Sequence, residues 1–193
     1  MQTNLIRAVN VIFMKIISLI LRRVFVLMLI LLPSFGFAAE INRFVGTYIG
    51  TSETISDGET QKRDMNVVID ETKSGFQLTW TSVSYKTDGR TKDKTYTVEF
   101  VPSNRDHIYQ SAMKMSLFGK AIPLDPLDGD PFVWARFEGD TFSVFSLIID
   151  ENGEYEVQEY HRTLVDGDLE LVFLSVRSGV PQREIRTTLL RQE

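Results

Sequence analysis

Few of the reactive side chains in this sequence stand at spacings that support chemistry. Ser111-Ala112-Met113-Lys114 fits Ser-x-x-Lys, in which a lysine one helical turn on activates a serine for acyl transfer. The usual companions of that motif, Ser-Asp-Asn and Lys-Thr-Gly, do not occur, and so short a pattern arises readily by chance. Asp125-Pro126-Leu127-Asp128-Gly129-Asp130 gathers carboxylates as a calcium loop does. Arg136 stands where such a loop needs its last glutamate, and Pro126 and Pro131 distort it, so the stretch reads as a turn. There are only two histidines, His107 and His161, whereas zinc catalysis generally takes three protein ligands. The absence of cysteine excludes disulfides, thiolate metal sites, a cysteine nucleophile and a lipid-anchored cysteine. The sequence therefore assigns no catalytic set, no metal site and no cofactor.

The aromatic residues are the more informative population. Phe76, Trp80, Tyr85, Phe100, Phe132, Trp134, Phe137, Phe142, Phe145, Tyr155, Tyr160 and Phe173 recur along most of the chain. Their plain role is core filling, since aromatics dominate core energetics and suit strands. Their functional role would be to line a cavity for an apolar ligand. Trp80, Trp134, Arg136, Tyr160 and Arg162 are the candidate ligand-binding residues, with Arg136, Arg162 and Arg177 able to clamp a carboxylate if they point inward.

The elements that must position these residues are strands. Phe44–Ser52, Met65–Asp70, Gly75–Tyr85, Lys94–Val101, Pro131–Glu138, Thr141–Asp150, Glu154–Val165, Asp168–Arg177 and Arg183–Leu190 alternate in polarity or carry strand-forming residues. Between the later ones stand hairpin signals: Gly139-Asp140, Asn152-Gly153, Asp166-Gly167 and Ser178-Gly179. The alternation slips by one residue after Trp80 and again after Val157, which predicts β-bulges there. One helix is predicted over Ser111–Phe118, inside a long connection from Pro102 to Pro131 of the kind that serves as a lid or binding loop.

Hairpin-linked strands predict a single all-β domain over 40–193, an up-and-down antiparallel barrel of about eight to ten strands, with a β-sandwich as the alternative. Side chains can just fill a barrel of that size, which favours a packed interior. A membrane barrel needs lipid-facing apolar residues at every second position. Glu154, Glu156, Glu159 and Arg162 put charge on both faces of one strand instead.

The first 39 residues carry Arg7, Lys15, Arg22 and Arg23 and no acid. The apolar run Val24–Leu32 follows, then Gly36-Phe37-Ala38. This order predicts a signal peptide over 1–38, cut after Ala38, with Met14 as an alternative start. The apolar run is shorter than the about 20 residues of a spanning helix, so no transmembrane segment is expected after cleavage. The protein is thus expected in the periplasm or secreted. The general secretory route is favoured, and Arg22-Arg23 leaves the twin-arginine route as the alternative. Removing the leader takes away four basic residues and shifts the net charge from −5 to −9. An acidic domain is poorly suited to nucleic acid or anionic lipid.

Phe44-Val45-Gly46-Thr47-Tyr48 in the first strand, with Arg186 and Arg191 near the last, resembles the lipocalin-type (calycin) superfamily of small ligand-holding barrels. Those proteins place Gly-x-Trp in the first strand and pack a late arginine across the ring to close the barrel base. Here Tyr48 replaces the tryptophan. Some relatives bind haem through a histidine late in the barrel, a role that the mid-strand His161 does not match in position. The resemblance implies a non-catalytic barrel that binds an apolar or amphipathic small molecule in the cell envelope. Two other functions fit the same sequence. One is a filled barrel that presents the 102–131 loop to an envelope protein; the other is a calycin-type enzyme.

Overall fold

Strands rich in Val, Ile, Thr and aromatics leave rows of backbone donors and acceptors that must find partners. Pairing each strand with the next and the last with the first satisfies them all and removes the exposed edges. Ten strands of the chain close on one another in this way. The computed structural model describes residues 40–193 apart from 57–58, 87, 113, 116–120 and 123. The leader expected over 1–38 lies outside the described residues.

The strands are β1 (Gly46–Ser56), β2 (Glu59–Glu71), β3 (Phe76–Tyr85), β4 (Thr91–Pro102), β5 (Ile108–Ser111), β6 (Lys114–Met115), β7 (Ala121–Ile122), β8 (Phe132–Glu138), β9 (Thr141–Ile149), β10 (Tyr155–Val165), β11 (Asp168–Arg177) and β12 (Val180–Arg191). Ten of them close into an antiparallel barrel in the order β1-β2-β3-β4-β5-β8-β9-β10-β11-β12, with β12 returning to β1. Tyr48 lies opposite Arg191 at that closure. The remaining two, β6 and β7, pair only with each other. Among the described residues no helix is long and apolar enough to cross a membrane.

The later hairpins turn where their sequences predict. Val165 pairs with Asp168 across Asp166 and Gly167, whose φ angles are 52° and 96°. Positive φ at both turn positions matches the right-handed twist of the flanking strands. Between β3 and β4 the outer face is tied by threonine pairs, Thr79–Thr97 at 3.0 Å and Thr81–Thr95 at 2.8 Å.

Three sequence expectations fail, each for a physical reason. The 102–131 connection is not continuous loop: β5 crosses it, pairing with β4 on one side and β8 on the other. Only four residues long, β5 gives too little alternation to register. The helix expected over Ser111–Phe118 is absent where the chain is described, because Ser111 ends β5 and Lys114–Met115 lie in β6. The rest of that segment, Met113 and 116–118, lies outside the described residues.

Nor are there bulges after Trp80 or Val157. The β2–β3, β3–β4, β9–β10 and β10–β11 ladders run in unbroken register. The irregularity in the last hairpin falls instead between Ser175 and Val176. At both apparent slips the strand keeps its phase while the inward positions change from apolar to polar. Ser82 and Ser84 continue the inward row of Phe76, Leu78 and Trp80, and Gln158 and Glu156 continue that of Tyr160 and Arg162.

That change marks a boundary inside the barrel. One end is packed solid around Tyr48, Phe76, Phe100, Phe142, Leu78 and Leu189, all fully buried. Ile41 and Phe44, just before β1, plug this floor, with the Phe44 ring against Phe137 and Phe142 at 5.5 and 5.8 Å. The Tyr48 hydroxyl donates to the Phe44 carbonyl at 2.9 Å, and the Arg191 guanidinium lies 5.5 Å over the Tyr48 ring.

Gly75 shows how tight this end is. A Cβ there would sit 1.9 Å from the Phe100 carbonyl oxygen and 3.1 Å from the Val101 Cα. Backbone must yield to admit it, so Gly75→Ala should cost about 1–3 kcal/mol. Urea denaturation measures the loss, and an unchanged midpoint would show that the β3–β4 end is looser than these distances imply.

Candidate functional site

Above the packed floor the lumen is hollow. The inward rows of β2, β3, β4, β8, β9, β10, β11 and β12 run past the floor into a cavity of about 530 Å³ that opens at the opposite end. The filled interior favoured by the sequence therefore holds for one end only. Residues that finish the floor, such as Val67, Val144 and Leu171, form the base of this cavity.

Its middle is aromatic. Trp80 stacks on Tyr96 of the neighbouring strand at 5.3 Å and meets Tyr160 at 5.8 Å. Tyr160 in turn packs on Phe173 at 4.7 Å. Strands β3 and β10 lie on opposite sides of the barrel, so the Trp80–Tyr160 contact spans the lumen. The Tyr160 hydroxyl donates to Gln158 Oε1 at 3.0 Å. Burial pushes the Tyr160 phenol up to about 12, with the nearby Arg162 charge pulling the other way.

Below this aromatic bar sits Arg162, 1% exposed. Its guanidinium lies 5.4 Å over the Tyr160 ring and 5.8 Å over Phe142. Nε and Nη1 are sealed from solvent with no hydrogen-bond partner. Burial brings its pKa down to about 10.

Charge in the cavity runs against that of the chain, which has 21 basic and 26 acidic residues. Among the described residues the lining includes Arg63, Lys86, Lys92, Lys94, Arg162 and Arg183, and no Asp or Glu. Burial and the facing Arg183 charge together hold the Arg63 pKa below its usual value. Glu156 lines an adjoining rim pocket and is already engaged. It pairs with Arg177 at 3.0 Å and accepts from Ser175 at 2.8 Å. Burial alone would raise the Glu156 pKa, but hydrogen bonds from Gln158, Ser175 and Arg177 outweigh it and hold the carboxyl below its usual value.

Of the candidate residues, Trp80, Tyr160 and Arg162 come together in this cavity. Trp134 and Arg136 do not, because they occupy the outward phase of β8, whose inward row is Val133, Ala135 and Phe137. Trp134 stacks on Phe145 outside at 5.1 Å, and Arg136 pairs with Glu138 at 2.9 Å. Arg177 stands at the rim in its pair with Glu156. Sequence reasoning missed Arg63, Lys92, Lys94, Tyr96 and Arg183. The signal for the lysines was present, since Lys94 and Lys92 extend the inward row of Phe100, Val98 and Tyr96.

The remaining motifs lie elsewhere. Ser111 and Lys114 occupy different strands, not one helical turn. Asp125 accepts from the Leu127 amide at 2.9 Å and opens a short 3-10 turn over Pro126–Asp128. His107 Nδ1 meets Glu40 at 2.6 Å. His161 lies on the outer face, between Ser143 Oγ at 2.8 Å and Glu159 at 3.0 Å. That Ser–His–Glu order has the members of an acyl-transfer triad, but Ser143 is buried. Its strand is also paired on both edges, which leaves no free amides to hold an oxyanion. Among the described residues no group of acids and histidines could hold a metal ion. No protein-family model matches this chain, and no characterised protein matches it in sequence.

Proposed function

We infer that this protein is an exported, non-catalytic barrel of the lipocalin type that holds an apolar or amphipathic small molecule in the cell envelope. The observation that carries this reading is the cavity: open at one end, sealed at the other, with an aromatic middle. A cavity of about 300–1,000 Å³ lined by aromatics with a few convergent polar groups is what small-ligand sites look like. The sealed floor supports the lipocalin-type assignment, because Arg191 packs over Tyr48 where the resemblance expects a late arginine across an aromatic ring. The acid-free leader with its small-residue cleavage site supports export.

The test is titration of the purified protein with a solvatochromic dye, alongside native mass spectrometry. One dye should bind per barrel with a blue-shifted emission, and Trp80→Ala should weaken it. A protein that binds no dye, in the wild type as in the variant, would remove the ligand-holding function.

A further inference from the structure

We propose that the ligand is an amphipathic anion bound head-down, its acidic head on Arg162 at the cavity base and its apolar body among Trp80, Tyr160 and Phe173. This deepens the ligand-holding function and rests on it. A buried ionised group is costly unless it is paired. Among the described residues Arg162 has no carboxylate partner, and two of its nitrogens are sealed without any acceptor. At the rim, by contrast, the partly buried Glu156 is paired with the exposed Arg177. Arg162 lines the cavity, and once the head group displaces the side chains that seal its nitrogens, its planar fork of donors fits a carboxylate through two parallel hydrogen bonds.

The mouth gives independent support. Arg63, Lys92, Lys94 and Arg183, from β2, β4 and β12, form a basic arc along one side of the mouth, without a counter-charge among the described residues of the cavity lining. In a domain of net negative charge, such an arc draws anions to the opening that leads to Arg162. A cation would be repelled by both features, and a neutral acceptor would gain a weaker hydrogen bond from Arg162 and nothing from the charge at the mouth.

The probes are dodecanoate and dodecan-1-ol, which share a chain and differ in the charge of the head, titrated into the purified protein by calorimetry. The acid should bind at least about tenfold more tightly than the alcohol, the worth of a hydrogen bond to a charged group. Arg162→Met should erase that preference while leaving the alcohol within about threefold of its original affinity. Arg162→Lys keeps the charge without the fork and should retain only part of the preference; it carries the comparison if the Met variant does not fold. Lys92→Gln combined with Lys94→Gln should keep the preference but flatten the salt dependence of the association rate.

If the lysine pair abolishes the preference and Arg162→Met does not, the head sits at the mouth and the head-down inference falls, while the ligand-holding function stands. Equal binding of acid and alcohol by the wild type has the same consequence. Failure of both probes to bind removes the inference and the function together.

Discussion

Phe76→Ala should destabilise the barrel by about 3–5 kcal/mol, the range for removing a buried aromatic ring. Phe76 is fully buried and touches four other rings. It stacks on Phe100 at 5.0 Å and meets Tyr109, Phe142 and Phe137 edge-on at 5.2, 5.4 and 5.7 Å. These partners come from β4, β5, β9 and β8, so one ring ties strands that lie far apart in sequence. Collapse around the void is opposed by the closed ladder, which fixes the distance across the barrel. Because the chain has no disulfide to limit its unfolded state, the loss falls directly on the core. Phe132, half-exposed on the outer face, is the control: Phe132→Ala should cost no more than about 1 kcal/mol. Chemical denaturation followed by tryptophan fluorescence compares the two. Equal losses would mean that the aromatic floor is not the centre of stability.

The floor was legible in the sequence because its chemistry matches its geometry. Tyr96/Val98/Phe100 and Phe76/Leu78/Trp80 alternate as half-buried strands must, and Asp166-Gly167 and Ser178-Gly179 announce their turns. The cavity was harder to read. An inward position that faces open space can be serine, glutamine or lysine, and such residues look outward-facing to any rule that equates apolar with buried. Hence a row that kept its phase through Trp80, Ser82 and Ser84 read as a bulge at Val83. The same ambiguity placed Trp134 and Arg136 in the site: an outer face covered by stacked aromatics carries the residue types of a lumen. Arg162 fell on the correct side because its strand neighbours Tyr160 and Leu164 share its phase. That its charge lacks a partner is a fact of three dimensions. No spacing in the chain encodes the absence of a carboxylate from the opposing strands.

That missing partner leads to a second large effect, which needs no ligand to observe. Arg162→Met should make the empty barrel more stable by about 1–3 kcal/mol, since apolar residues of similar volume often outperform a buried charge. A guanidinium pKa brought from 12.5 to about 10 disfavours the buried charge by about 3 kcal/mol. Methionine loses the cation–π contacts with Tyr160 and Phe142 but follows the same path with a flexible apolar chain. The melting temperature should therefore rise by several degrees. The gain should also depend on pH. Between about pH 10 and 12.5 the unfolded chain holds a proton that folded Arg162 has released, so the wild type gains stability as pH rises through that window. Tyr160 acts in the opposite sense: its raised pKa keeps the folded phenol protonated while the unfolded one ionises above its ordinary value of 10.0. Wild type carries both contributions and the variant only the second. The advantage of Arg162→Met should thus be largest near neutral pH and shrink from about pH 9 to about pH 11. Thermal melts across that range measure it. A variant that is less stable than the wild type at neutral pH, or whose difference does not change with pH, would mean that Arg162 is solvated or paired in the empty protein. A variant that behaves as expected identifies the residue as one kept at a cost to stability, which binding an anion would offset.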